Sequence, residues 1–295
     1  MKTRRKTFLA AIAAGAGLLL AAHAASAQPS PSPLTPEQIK QIVASPDRSA
    51  ADRTNDLRRK PEQMLVFIGI RPGITALDLS AAGGYTTELL ARAIGPSGIV
   101  YGQSRPRDAS RAPAPPAAPE GNSHPNVTSG AAPAATPAAP AGAPRPSPVA
   151  LEERDAALRS AGMKAAPITA VVRPFEDPIP PELAELDLVT LMFNYHDLGH
   201  LGVDRAAMNR AVFQALKKGG VYVIADHSGR PGTGISEAGT LHRVEEAFLR
   251  KEVEAAGFKL ADEGTFLRNP NDPRDKNTPD PPQPKDEFVL KFVKP

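Results

Sequence analysis

The sequence predicts an α/β protein with a Rossmann-like, doubly wound sheet that is mostly parallel, ends in a C-terminal antiparallel β-hairpin and carries helices on both faces. Short apolar runs alternate with segments of helical periodicity from residue 74 to residue 256, which is typical of a layered α/β sheet. The run 186–193, LDLVTLMF, is almost continuously apolar, as in a parallel strand covered on both faces. Two last strand-like segments, 258–267 and 287–293, flank a Pro/Asp-rich loop and predict the hairpin.

The chain before the first strand is predicted to form two helices separated by a charged segment. Residues 35–38, TPEQ, are typical of a helix start, because Thr can cap, Pro suits the first turn and Gln completes a capping box. The charged residues 47–60 are interpreted as a surface segment. Pro61 opens the second helix, and residues 71–73, RPG, are expected to end it.

Residues 76–94, ALDLSAAGGYTTELLARAI, predict a strand, a tight turn and a helix start. The strand covers about 74–79, and the helix, capped by Thr86 or Thr87, runs to about 94. This is the unit with which α/β proteins hold nucleotide-like ligands. Small residues in the turn let backbone N–H groups approach such a ligand closely.

The remaining elements follow from the same periodicities. Strands are predicted at 99–102, 168–172 and 221–225, and helices at 151–161, 205–216 and 239–256.

Composition shifts divide the chain. Residues 1–27 have a basic start, an apolar stretch and a small-residue cleavage site after Ala27, which predicts a signal peptide and export to the periplasm. Residues 28–34 form a flexible tail, and 35–295 form a single domain. A Pro/Ala-rich insertion at 105–148 holds 12 of the 33 prolines and is expected to be disordered, because it offers little apolar surface to bury.

Charge and composition exclude some functions. After removal of residues 1–27 the chain carries 31 basic and 32 acidic residues, which argues against a nucleic-acid footprint. The mature chain has no stretch apolar enough to span a membrane. There is no cysteine, which excludes thiol chemistry. The sequence leaves the oligomeric state open, as it does the choice between the Sec and twin-arginine export routes.

The order of these motifs resembles the class I S-adenosylmethionine-dependent methyltransferase fold. More narrowly, the chain is similar to exported bacterial proteins described as predicted methyltransferases. That resemblance rests on YHD at 195–197, DH at 226–227 and LHR at 241–243, together with the turn after the first strand. It covers about residues 55–295 apart from the insertion. It implies S-adenosylmethionine as cofactor and a small-molecule methyl acceptor.

The turn departs from the acidic-x-Gly-x-Gly-x-Gly pattern of such methyltransferases. Counted from Asp78, its three glycine positions hold Ser80, Ala82 and Gly84. Ser and Ala do not take positive φ cheaply. The acid that usually ends the second strand and binds the ribose is replaced by Gln103, which lacks the charge of a carboxylate.

The resemblance implies a set of cofactor-binding residues at the carboxyl ends of the strands, where ligands of doubly wound sheets bind. They are Asp78, Ser80, Gly83, Gly84, Tyr85, Gln103, Glu176, Asp177 and Asn194.

Polar residues after the fourth and fifth strands are the candidates for catalysis. If these strands are neighbours, His196, Asp197, Asp226 and His227 converge on one crevice. His196, with Asp226 and His227, is the preferred general-base site, because a neutral imidazole near pH 7 can free an acceptor's lone pair.

Two alternatives to the general base stay open, and a second group is a further candidate. The same imidazoles and carboxylates, or His196-x-x-x-His200, could hold a divalent metal, although no metal site is assigned. In a structural alternative, Asp197 caps the next helix and Asp226-His227 fixes a loop. His242-Arg243, at the start of the last long helix, is the further candidate.

The sequence thus predicts an exported methyltransferase, and the compartment leaves a second hypothesis. The methyl donor is made in the cytosol. Export of the folded protein with cofactor bound, a donor-containing envelope, or loss of the chemistry would each resolve the difficulty. The last of these describes a non-catalytic exported binding protein that reuses the methyltransferase fold.

Overall fold

A computed structural model describes residues 31–107, 145–277 and 283–295. Within them lies a seven-stranded sheet of order β3-β2-β1-β4-β5-β7-β6. The first five strands in this order are parallel, and β7 is antiparallel to both of its neighbours. This confirms the predicted fold class, including the closing hairpin. The strands are β1 (Thr75–Leu79), β2 (Ile99–Ser104), β3 (Ile168–Val172), β4 (Leu186–Met192), β5 (Leu216–His227), β6 (Lys259–Gly264) and β7 (Glu287–Val293).

Helices cover both faces of the sheet. On one face α1, α3, α4 and α5 contribute to a core that includes Ile39, Leu90 and Leu151. On the other face α6, α7 and α9 contribute to a second core, with Met208 and Leu249. The helices are α1 (Pro36–Val43), α2 (Ala50–Arg59), α3 (Pro61–Ile68), α4 (Tyr85–Ile94), α5 (Ser147–Ser160), α6 (Tyr195–His200), α7 (Arg205–Ala215), α8 (Ala238–Leu241) and α9 (Glu246–Ala255).

The strand register brings the candidate site residues to one edge of the sheet. Asp78 of β1 is level with Thr190 of β4, and Met192 of β4 is level with Ala225 of β5. The residues that follow these strands therefore meet at the carboxyl edge. This edge is where a doubly wound sheet binds its ligands.

Two of the predicted helix boundaries hold and two are corrected. Thr35 and Gln38 form the predicted capping box of α1, and α4 ends at Ile94. However, α3 ends at Ile68 rather than at residues 71–73, because Gly69 adopts φ +72° and its N–H bonds the carbonyls of the last turn. Neither Thr86 nor Thr87 caps α4, whose N-cap is Gly84.

Two further elements differ from the sequence prediction. Residues 47–60 are not a simple surface segment, because 50–59 form α2, whose N-cap Ser49 accepts a hydrogen bond from the Asp52 amide. The predicted helix 239–256 is broken into α8 and α9 at His242, which has φ +51°. The buried Arg243 explains the break, since its guanidinium donates to the Ser228 carbonyl and pairs with Asp272.

The insertion and the export signal lie largely outside the described residues. Helix α5 begins at Ser147, inside the predicted insertion 105–148 and four residues before the predicted helix start. The rest of that insertion, 108–144, and the predicted signal peptide 1–27 are not described. Among the described helices, none combines the length and the apolar character that a membrane crossing needs.

Candidate functional site

The turn after β1 has the backbone shape of a glycine-rich turn. Ser80, Ala82 and Gly84 have φ values of +56°, +47° and +78°. A non-glycine residue pays about 1–2 kcal/mol for this left-handed conformation. The turn therefore keeps the left-handed backbone at Ser80 and Ala82, although neither residue type favours that conformation.

Gln103 of β2 stabilises this turn by hydrogen bonds to two of its backbone amides. Its Oε1 accepts a hydrogen bond from the Ser80 amide at 3.0 Å, and its backbone carbonyl accepts one from the Ala81 amide at 2.8 Å. Its Nε2 donates to the Arg173 carbonyl at 2.7 Å. The side chain is fully buried. Gln103 thus shapes the turn, and its predicted contact with a ribose stays a prediction.

Asp78 is an internal anchor for α4. Its carboxylate is buried and accepts hydrogen bonds from Thr87 Oγ1 at 2.6 Å and Thr190 Oγ1 at 2.8 Å. Burial raises the pKa of Asp78 to about 6, although these two hydrogen bonds lower it in part. The bond from Thr87 also explains why Thr87 does not cap the helix. Asp78 holds the start of α4 against the end of β1.

Helix α2 covers the turn, which the sequence did not predict. Asp56 accepts a hydrogen bond from the Tyr85 hydroxyl at 2.7 Å. The Arg59 guanidinium lies 4.6 Å from the centre of the Phe193 ring and 5.5 Å from that of Tyr85. Arg58 also stacks on Phe193 and pairs with Glu287 of β7. The Ser49-x-x-Asp52 spacing was a helix-start signal that could have revealed α2.

Arg154 of α5 ties three helices to the turn. Its Nε donates to the Gly83 carbonyl at 2.5 Å. Its guanidinium pairs with Asp52 of α2 at 2.7 Å and with Glu88 of α4. Both carboxylates are at most one-tenth exposed. No pattern in the sequence pointed to this residue, because the three helices that it connects are distant along the chain.

His196 and Asp226 form a buried ion pair at the ends of β4 and β5. Nδ1 of His196 lies 2.6 Å from Asp226 Oδ1, and the His196 amide donates to Asp226 Oδ2 at 2.8 Å. The His227 amide also donates to Oδ1, at 2.7 Å. Burial alone would lower the pKa of His196, but the charge and hydrogen bond of Asp226, together with the neighbouring Asp197 carboxylate, outweigh it and raise that pKa to about 10.

A His196 pKa of about 10 does not fit the predicted neutral imidazole near pH 7. A His196 imidazolium has no lone pair with which to take a proton at neutral pH, so it does not serve as a general base in this state. Asp226 accepts three hydrogen bonds around it. The predicted convergence of residues 196, 197, 226 and 227 is observed, whereas the predicted role of His196 does not fit.

Asp197 and His242 extend this group toward solvent. Asp197 Oδ1 lies 3.3 Å from His196 Nε2 and 3.4 Å from His242 Nδ1. His242 reaches this position because the chain leaves the helix at residue 242. Asp197 lies inside α6 and does not cap the following helix α7, whose N-cap is Asp204. His227 pairs instead with Glu287, Nδ1 to Oε1 at 3.0 Å.

Asn194 joins the turn to this polar group. Its Oδ1 accepts from Ser80 Oγ at 2.5 Å, and its Nδ2 donates to Asp197 Oδ2 at 2.7 Å. The turn after β1 and the residues after β4 therefore share one side chain.

Other predicted residues lie outside these contacts. Asp177, after β3, is exposed and pairs with Arg173, while Glu176 beside it is partly buried. Their roles at a cofactor stay predictions. His200 packs against Gly239, where an added Cβ would lie 2.5 Å from the imidazole. Among the described residues, the group of three with metal-ligand spacing is His196, Asp197 and His242, and it does not include His200 of the suggested pair His196-x-x-x-His200.

Comparison with known proteins gives structural likenesses only. No protein-family model matches the chain, and no curated protein sequence matches it. A SAM-dependent methyltransferase from Aquifex aeolicus is 15% identical, with 89% of this chain and 100% of that chain covered, at a TM-score of 0.49. Aeropyrum pernix fibrillarin with natively bound S-adenosyl-L-methionine is 15% identical over 76% of this chain and 68% of that one, at 0.40.

A third solved structure, the [4+2]-cyclase SpnF, is 13% identical over 91% of this chain and 88% of that one, at a TM-score of 0.48. All three TM-scores are below 0.5. The assignment of a Rossmann-like fold therefore rests on the strand order and directions of the sheet itself.

Proposed function

We propose that this chain is an S-adenosylmethionine-dependent methyltransferase that acts on a small-molecule acceptor and is exported to the periplasm. The observation that carries the proposal is the left-handed backbone at Ser80, Ala82 and Gly84. Strained backbone persists where the surrounding structure imposes it, and it concentrates at ligand sites. Here it lies at the end of β1, the place that doubly wound sheets use for nucleotide-like ligands.

The turn and the helix behind it offer hydrogen-bond donors to a ligand. The N-cap of α4 is Gly84, which has no side chain to cap the first amides of the helix. Ala82 is exposed at the apex of the turn. A ligand can thus reach the turn from the solvent side, and the start of α4 favours its polar groups.

A cation lies between the turn and β4. Arg59 stacks on Phe193 and Tyr85, and its charge acts on Asp78. A guanidinium placed over aromatic rings suits a carboxylate ligand. We assign it to the carboxylate of the methionine part of the cofactor, with the turn and β2 on the adenosine side.

The acceptor is assigned to the polar group formed by His196, Asp197 and His242. When bound, S-adenosylmethionine supplies an electrophilic methyl group. The chain's own contribution is chiefly to align the acceptor with that methyl group, which can account for a large part of a rate enhancement. The His196–Asp226 pair fixes one wall of this position, because both side chains are buried and hydrogen-bonded.

A non-catalytic binding protein with the same fold is the second candidate. The observation that favours it is the buried 2.6 Å contact of His196 with Asp226, which helps to raise the pKa of His196 and leaves this part of the site without the expected base at neutral pH. Such a protein would bind a small ligand at the turn without transferring a group.

The test is calorimetric titration of refolded, ligand-free protein with S-adenosylhomocysteine. Wild type is expected to bind in the micromolar range, about −8 kcal/mol. Ala82→Leu enlarges a side chain that already has a Cβ, so it adds bulk at the apex without a new backbone restriction. It is expected to abolish binding. The control is Ala156→Leu, on the exposed side of α5.

The outcomes separate the two candidates. Binding that only Ala82→Leu removes supports the cofactor site and justifies an acceptor screen with labelled S-adenosylmethionine. Equal binding by both variants places the ligand elsewhere and contradicts the assignment of the turn. Absence of binding by folded wild type contradicts the donor and leaves the binding-protein candidate.

A further inference from the structure

We propose that His196 Nε2, Asp197 Oδ1 and His242 Nδ1 form a binding site for a divalent transition-metal ion, with Zn²⁺ as the ion that suits it best. The three residues come from the start of α6 and from the break between α8 and α9. The site goes beyond methyl transfer, because its three ligands are side chains of this chain and not atoms of the cofactor.

The ligand atoms already have metal-site spacing. Asp197 Oδ1 is 3.3 Å from His196 Nε2 and 3.4 Å from His242 Nδ1. Each of the three residues offers one ligand atom, and those atoms lie within 4.8 Å of one another. Ligands about 2.0–2.2 Å from a tetrahedral Zn²⁺ are separated from each other by about 3.3–3.6 Å. Little movement is therefore needed to close the site around an ion.

The two imidazole nitrogens point into the group without a well-formed hydrogen bond. His196 Nε2 and His242 Nδ1 are both buried atoms, and neither has a hydrogen-bond partner of good geometry among the described residues. The His196 side chain is 0% exposed. A buried polar atom left in this way requires an explanation, and a metal ion is one.

Neighbouring side chains orient two of the proposed metal ligands. Asp226 holds His196 through Nδ1 at 2.6 Å, so Nε2 is the nitrogen that faces the group. Asn194 donates to Asp197 Oδ2 at 2.7 Å, which turns Oδ1 toward both imidazoles. Carboxylates and amides in such second positions orient metal ligands and raise their affinity. On binding, the ion replaces the proton at His196 Nε2, which passes to solvent.

Two imidazoles and one carboxylate leave a coordination position open. Three protein ligands with an exchangeable fourth are typical of a zinc site that binds water or a ligand group. The Asp197 and His242 side chains are 27% and 39% exposed, so the fourth position faces solvent. An oxygen-bearing ligand, such as a hydroxyl or carboxylate compound, fits there.

The experiment titrates chelator-treated full-length protein with Zn²⁺ against a chromophoric chelator, and with Co²⁺ by visible absorption. His242→Asn removes one ligand and keeps a residue type that tolerates the left-handed backbone at 242. It is expected to weaken Zn²⁺ binding by at least about 100-fold, beyond the roughly 10–100-fold that loss of a second-position partner such as Asp226 costs. His200→Gln, on the same helix as His196 but outside the group, is the control and should bind as wild type does.

Thermal unfolding without metal checks that each variant folds, and a Zn²⁺-dependent rise in melting temperature is expected for wild type and His200→Gln only. No binding by folded wild type overturns the proposal, as does equal binding by His242→Asn and wild type. No S-adenosyl compound is present in this experiment, so its failure is distinguishable from failure of the proposed function.

Discussion

Replacing Ala82 by glycine tests the strained turn directly. Ala82 has φ +47°, and a non-glycine residue pays about 1–2 kcal/mol for that conformation. Glycine also has more conformational freedom in the unfolded chain, and this offsets about 0.4–1 kcal/mol of the stability gained by removing the strain. The Ala82 side chain is exposed, so its removal forfeits little apolar burial. Ala82→Gly is therefore expected to raise the free energy of unfolding by about 0.5–1 kcal/mol.

Urea unfolding followed by circular dichroism measures this change. The midpoint should rise by about 0.2–0.5 M with an unchanged m-value. The matched control is Ala81→Gly, one residue earlier. Ala81 is buried and is not among the positive-φ residues, so its replacement should lower the free energy of unfolding by about 1 kcal/mol.

A lower midpoint for Ala82→Gly would refute the strained turn. It would show that position 82 favours an ordinary right-handed or extended backbone. The geometry that carries the proposed function would then be absent. Opposite signs for the two adjacent replacements are the result that supports it, because general loosening by glycine cannot produce them.

Three further predictions concern the groups around the turn. Asp78→Asn should flatten the pH dependence of stability. The folded state holds the Asp78 proton more tightly (pKa about 6), so wild type loses about 2 kcal/mol of unfolding free energy between pH 4 and pH 6. Equal slopes in urea titrations would contradict this. Arg154→Met should lower the free energy of unfolding by about 2–3 kcal/mol, because Asp52 loses its cation and Glu88 keeps only Arg92. A loss within 0.5 kcal/mol, the usual range for surface substitutions, would exclude a structural role for that cluster. Gly84→Ala should lower the free energy of unfolding by about 2–4 kcal/mol, because φ is +78° and the new Cβ would lie 2.8 Å from Leu151 Cδ2. A melting temperature equal to that of wild type would show that α5 does not pack on the turn.

The sheet was predictable because its strands carry their own signal. β3 has the predicted bounds, and β4 differs by one residue, since buried parallel strands read as short apolar runs between turn residues. The helices α2 and α9 depended on tertiary contacts. Residues 50–59 have few apolar side chains, and the break at His242 follows from an arginine buried against a distant loop.

The position of the candidate site could be predicted from the sequence, but the protonation of its side chains could not. Residues after β4 and β5 converge because parallel neighbours end at the same edge, which the sequence order already implied. The protonation of His196 depends on a 2.6 Å contact with Asp226 and on nearly complete burial. Neither quantity can be obtained from residue spacing. Arg59 was missed for a similar reason, since its position depends on how α2 packs.

Asn194 makes the two proposed sites energetically dependent on each other. Its carbonyl oxygen holds Ser80 at the strained turn, and its amide holds Asp197 beside the two imidazoles. A ligand that moves the Ser80 hydroxyl changes the orientation of that amide, and so the direction of Asp197 Oδ1. Binding free energies are reciprocal, so any factor by which a ligand at the turn changes the affinity for an ion at Asp197 is also the factor by which the ion changes the affinity at the turn. A side chain hydrogen-bonded to both groups gives this coupling a direct physical route, because no rearrangement of the sheet is required.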